Sequence, residues 1–113
     1  MPIQNITIIP LSIFNDNYVW LIKDSKREKA ICVDPGESKV VLNYLKQHKL
    51  DLDSILITHH HQDHIDGLSS LLEHFPKCNV YAPNEPRIQL ATTKVSNNQT
   101  INIEALGLNF KVI

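Results

Sequence analysis

The stretch Ile55-Leu56-Ile57-Thr58-His59-His60-His61-Gln62-Asp63-His64-Ile65-Asp66-Gly67 decides how this sequence is read. It opens on three consecutive apolar residues, Ile55 to Ile57, the pattern of a strand buried on both faces. It closes where a helical spacing takes over, with Ile65, Leu68, Leu71, Leu72 and Phe75 on one face until Pro76. Between strand and helix stand four side chains able to bind a metal, His59, His61, Asp63 and His64, all within six residues.

His59 and His61 are two apart, so an extended segment points both to the same side. Imidazole nitrogens brought together at short range suit a zinc-like cation. At Asp63 and His64 the chain must turn into the helix, and the turn re-aims these two side chains toward a second point near the first. The pattern therefore predicts two adjacent metal positions, one on His59 and His61, the other on Asp63 and His64. Ligands at the carboxyl end of a buried strand also sit where α/β proteins place their sites. His60 points away from its neighbours and is not expected to bind. Nor are His48 and His74, which stand near helix ends, where solvated or dipole-pairing histidines are common. A histidine run can also be a tag or an exposed loop, but neither is bracketed by a core strand and an amphipathic helix.

Working outward, residues 3–9, 18–22 and 30–33 read as three strands rich in β-branched and aromatic side chains. The polar segment 23–29 reads as a hairpin loop, and Asp34-Pro35-Gly36 stops the third strand. Val41, Leu42 and Leu45 then share a helical face that closes at Gln47-His48-Lys49. Beyond the histidines, residues 79–82 form a short strand ending at Pro83. Residues 83–86 form a turn, and residues 101–103 and 108–113 are strands about Gly107. This order predicts an α/β layered domain whose helices pack on a sheet.

The chain has 113 residues, enough for one small domain. A net charge of −1 gives no electrostatic reason to expect nucleic acid or an anionic membrane as partner. The apolar run near the start is broken by Pro10 and falls short of the roughly 20 residues a membrane helix needs. No basic segment precedes it, so a soluble, cytoplasmic protein is expected. Cys32 and Cys78 form no CxxC pair and read as buried thiols. The sequence ends inside an apolar strand, Phe110-Lys111-Val112-Ile113, which reads as a cut in the middle of a fold. Residues 1–113 are accordingly expected to be a partial domain, with exposed sheet surface that favours self-association.

The H-x-H-x-D-H pattern after a buried strand resembles the metallo-β-lactamase superfamily. Within it the sequence is most similar to glyoxalase II, the hydroxyacylglutathione hydrolases. The similarity runs through Phe14-Asn15-Asp16-Asn17-Tyr18, Val33-Asp34-Pro35-Gly36, Ile55 to Gly67, and Val80-Tyr81-Ala82-Pro83. The resemblance implies the N-terminal half of an αββα sandwich, with a mixed, mostly antiparallel sheet and helices on one face. It implies two divalent metal ions, zinc first and iron or manganese as alternatives. His59 and His61 would hold the first, Asp63 and His64 the second. Asp63 would also serve catalysis by orienting the second metal and helping to manage a proton. Thr58 would support the ligands by hydrogen bonding. Asp34 is either such a support or a turn-former before Pro-Gly.

The implied reaction is hydrolysis of a small-molecule thioester, an S-2-hydroxyacylglutathione, to the 2-hydroxy acid and glutathione. Water activated by the metals is the nucleophile. Family members are longer and carry later segments with the remaining ligands, a bridging aspartate and the glutathione-binding residues. Little or no activity is expected from these 113 residues alone. The alternatives are another enzyme of the scaffold, namely a persulfide dioxygenase, a lactonase or another esterase, or a non-catalytic truncated fragment.

Overall fold

The computed structural model describes residues 6–14, 17–24, 26, 28–59 and 65–112. Within them the chain runs β1 (Ile6–Ile13), β2 (Asn17–Asp24), β3 (Lys29–Val33), α1 (Ser38–Gln47), β4 (Asp51–Leu56), α2 (Leu68–His74), β5 (Asn79–Pro83), β6 (Thr93–Val95), β7 (Thr100–Ile103) and β8 (Leu108–Lys111). β1 to β6 form one sheet in sequence order, and β7 and β8 form a separate hairpin.

The sheet is mixed, as expected. β1–β2 and β2–β3 are antiparallel, while β3–β4, β4–β5 and β5–β6 are parallel. The cause lies in the connections. Short links reverse the chain at the first two pairs, whereas α1 and α2 carry it back across the sheet and make the next two pairs parallel. As a result β3, β4 and β5 all end on the same side.

Both helices lie on one face of the sheet. Val41 and Leu45 of α1 and Leu68 and Leu71 of α2 are buried against Leu21, Cys32, Ile55 and Val80. Alternation along β4 sends its neighbours to the other face, where Leu56 joins Ile22, Ile31, Ile101, Ile103 and Leu106 under the β7–β8 hairpin. Ile55 to Ile57 is thus covered on both sides, as its unbroken apolar run predicts. The strand itself starts earlier, at Asp51, because Leu52 extends the helix-side face although Asp51 and Asp53 are polar.

The hairpin covers only part of its face. Register pairs Pro10 with Trp20 and Ile8 with Ile22, which places Ile8, Tyr18 and Trp20 on that same face. They are 60%, 46% and 41% exposed, and the Tyr18 and Trp20 rings lie 5.7 Å apart. β1 is an edge strand with Pro10 near its middle, where a proline removes a donor that another strand would use. Among the described residues no helix is long and apolar enough to cross a membrane.

Cys32 and Cys78 are both buried free thiols. Burial, reinforced by the nearby Asp53 and Asp51 carboxylates, pushes the Cys78 thiol up to about 12. Burial also raises Cys32 well above its ordinary range. The thiolate is the reactive form, so both residues stay protonated and inert at neutral and mildly alkaline pH. Iodoacetamide is expected to leave both unmodified in the native protein and to alkylate both in urea, read by mass spectrometry. At the amino ends of the strands, Lys29 and Asp51 form a 3.3 Å ion pair whose side chains are 44% and 57% exposed. Solvent screens such a pair, and Lys29→Ala is expected to change urea stability by less than about 1 kcal/mol.

Candidate metal centre

The sheet brings Asp34 and Thr58 together because β3 and β4 are parallel and end side by side. Val33 and Leu56 are register partners. One residue on, the Asp34 N–H donates to the Leu56 carbonyl at 2.9 Å, and the Ile57 N–H donates to Tyr81 on the other side at 2.9 Å. Thr58 therefore leaves the sheet with its backbone already fixed. Its N–H donates to Asp34 Oδ1 at 2.7 Å and its hydroxyl to Oδ2 at 2.6 Å. The same hydroxyl lies 2.8 Å from His59 Nδ1.

Asp34 is buried and has φ 54°. Aspartate tolerates this left-handed conformation better than most residues, which suits it to the turn before Pro35. The two readings of Asp34 are therefore not exclusive: it makes the turn and its carboxylate holds Thr58.

The same turn also holds the chain at Gly67, after the histidine segment of the sequence. The Gly67 N–H donates to the Pro35 carbonyl at 2.8 Å. A Cβ on Gly67 would meet Ser38 N at 2.6 Å, Glu37 C at 2.7 Å and Pro35 O at 2.7 Å, all of them backbone atoms. Thr58 and Gly67 are thus pinned to adjacent residues, Asp34 and Pro35, and every candidate ligand lies between the two pins. In the sequence Gly67 carries no role of its own: its only signal is a glycine at the entry to a helix, where close backbone approach is one of several meanings.

His59 is the candidate ligand whose placement the structure describes. His60, His61, Asp63 and His64 lie outside the described residues. Among the described residues no group of three His, Cys, Asp or Glu side chains forms a metal site. Of the histidines set aside from the sequence, His48 caps α1 with its ring 4.0 Å from that of Tyr44, and His74 Nδ1 donates to the Ser70 carbonyl at 3.0 Å.

An apolar cleft of about 330 Å³ opens beside Thr58 between sheet and hairpin, lined in part by Leu56, Tyr81, Val95, Phe110 and Val112. A larger cleft of about 490 Å³ lies at the opposite end of the strands, lined by Lys29, Asp51, Asp53 and Cys78 among others. It is remote from Thr58 and His59.

The described structure is an α/β domain with a mixed sheet and helices on one face, and its sequence places the His59–His64 segment just after the carboxyl end of a central strand. Residues 13–102 match the metallo-beta-lactamase superfamily, and the chain belongs to it. It is 41% identical over 100 residues to a hydroxyacylglutathione hydrolase of Legionella pneumophila strain Lens, which spans 88% of this chain and 39% of that protein. It is 47% identical over 90 residues to hydroxyacylglutathione hydrolase 2 of Vibrio vulnificus strain YJ016, spanning 80% of this chain and 35% of that one. Among solved structures, the BLEG-1 B3 metallo-beta-lactamase superposes with TM-score 0.73 at 21% identity, over 94% of this chain and 59% of its own. The chain thus corresponds to well under half the length of these two curated relatives, and its sheet with one helical layer matches the N-terminal half of the superfamily fold.

Proposed function

We propose that this chain forms the metal-binding half of a hydrolase acting on glutathione thioesters, releasing a 2-hydroxy acid and glutathione. The observation that carries the proposal is the Asp34–Thr58–His59 arrangement, which holds His59 at the start of a sequence segment with three more ligand-type residues. The identities to proteins named hydroxyacylglutathione hydrolase support the substrate class.

The donor set fits a divalent cation: neutral imidazoles and a carboxylate suit zinc foremost, and iron or manganese as well. His59 and His61 would hold one ion, Asp63 and His64 a second. Ions bound there would supply Lewis acidity, polarising a thioester carbonyl and making water nucleophilic at neutral pH. The chain's own residues do the positioning. Thr58 and Asp34 hold His59, Pro35 holds Gly67 after the histidine segment, and Asp63, the one carboxylate of the set, is the proposed proton acceptor. The cleft beside Thr58 offers an apolar wall to the small-molecule substrate, and the net charge of −1 offers nothing to nucleic acid or an anionic membrane. The exposed strip of Ile8, Tyr18 and Trp20 is the proposed surface for self-association.

Two protein ligands per ion make a weak site, so the 113 residues alone are expected to show little or no turnover. The test joins this chain to the C-terminal part of the Legionella pneumophila relative and assays S-lactoylglutathione. Metal-dependent hydrolysis by the joined protein supports the proposal. Metal uptake without thioester hydrolysis rejects the substrate class and leaves the other enzymes of the scaffold.

A further inference from the structure

We propose that Phe14 selects among thioesters by the group they carry beside the reacting carbonyl, its ring favouring an aryl substituent over a methyl one. The inference rests on reading the chain as half of a glutathione thioesterase, and it adds the residue that sets acyl specificity.

Strand register places Phe14 at the same end of the sheet as His59. β2 is antiparallel to β3, with Trp20 opposite Val33, so the start of β2 lies at the level where β3 ends. β1 reaches that level too, Ile13 pairing with Asn17. Val33 is also the partner of Leu56, and Thr58 and His59 follow just beyond it. Phe14 leaves β1 for the connection to β2 and therefore stands beyond the same edge of the sheet as His59. In the sheet order β2 is two strands from β4, a separation of about 10 Å at the usual strand spacing. A thioester whose carbonyl sits beside His59 has its arms within reach of that point.

Two features set Phe14 apart from a packing residue. Its neighbour Ile13 is buried in the core, whereas Phe14 is 57% exposed. Its φ is 54°, a left-handed conformation that is an outlier for a bulky side chain. Neither the exposure nor the backbone angle helps the fold, and strain of this kind recurs where a side chain is held for a ligand. The chemistry of the two substrate arms decides which one Phe14 meets. The glutathione arm is polar, with carboxylates and an ammonium, and gains nothing from a benzene ring. The acyl arm carries an alkyl or aryl group. An aromatic ring attracts that group by apolar contact and, where it is aryl, by edge-to-face or offset stacking.

The test takes the joined protein, with Phe14→Ala and Phe14→Tyr beside the parent. It compares kcat/KM on S-mandeloylglutathione and S-lactoylglutathione, whose acyl substituents are phenyl and methyl. The ratio of the two does not depend on how much of a variant is folded. It should fall about fivefold in Phe14→Ala, the loss of one aromatic pair, and hold in Phe14→Tyr. Urea unfolding of the 113-residue chain gives a second readout. Phe14→Gly should raise the midpoint, because glycine adopts the left-handed conformation without strain. A midpoint lowered in Phe14→Gly would mean that the ring holds the fold together, and overturns the assignment. A joined parent inert on both thioesters overturns the thioesterase reading and this inference with it. An active parent whose ratio is unchanged in Phe14→Ala overturns this inference alone.

Discussion

Gly67→Ala is expected to destabilise the protein by about 3 kcal/mol, the upper end of the usual cost of forcing a methyl group into a filled space. A glycine beside a helix would ordinarily gain from this change, by about 0.4–1 kcal/mol, because alanine restricts the unfolded chain. Here φ is −83°, which alanine adopts freely, so the backbone conformation is no obstacle. Space decides the sign. The new carbon would lie 2.6–2.7 Å from three backbone atoms of the 35–38 segment, and backbone cannot swing aside as a side chain can. Either Gly67 moves and loses its bond to Pro35, or the Asp34 turn moves and loosens Thr58. Urea unfolding measures the loss. A variant as stable as the parent would show that the two segments do not pack as closely as described.

Asp34→Ala carries the second large effect, again about 3 kcal/mol. The carboxylate accepts two short bonds from Thr58, and bonds to charged groups contribute roughly 1.5–3 kcal/mol each. Alanine leaves the Thr58 N–H and hydroxyl without that acceptor and also places a Cβ-bearing residue with no compensating polar group at φ 54°. Removing a group that supports a metal ligand also typically costs 10–100-fold in metal affinity. Asp34→Asn keeps the shape and an acceptor oxygen, so its loss in urea should be clearly smaller. Equal losses would mean that the turn conformation matters and the carboxylate does not.

The parts of this fold that could be read from sequence are those where one physical signal dominates. Ile55 to Ile57 had to pack on both faces, and Ile55 and Ile57 are buried while Leu56 is half-buried on the other face. The helical spacing of Leu68, Leu71 and Phe75 has no competing interpretation. β6 was missed because Thr93-Lys94-Val95 is short and mostly polar, with no alternation to detect. It pairs with β5 just after Thr92, whose backbone and hydroxyl bind both backbone groups of Val80 across 12 residues of sequence. No local pattern encodes that contact. The role of β7 and β8 was likewise hidden: each alternates like an ordinary strand, and nothing in either sequence says that their hairpin covers the Ile22, Ile31 and Leu56 face.

The candidate metal site divides in the same way. Candidate ligand types and their spacing were visible because coordination chemistry restricts them to few residues. The bracing of the loop was not, because it depends on β3 and β4 being parallel neighbours. That neighbourhood makes Asp34 reach Thr58 from 24 residues away and sets Gly67 against Pro35. Aspartate before Pro-Gly is equally a turn-former, and glycine before a helix is equally a cap. Only the tertiary structure shows that the two residues secure the chain on either side of residues 60–64.

The most direct test of the account is a zinc titration of the 113-residue chain followed by nuclear magnetic resonance, beside the His59→Ala variant. Shifts confined to residues 58–67 and the Asp34 turn are expected, saturating with modest affinity and abolished in the variant. Shifts centred on His48 or His74, or a His59→Ala chain that binds zinc as the parent does, would contradict it.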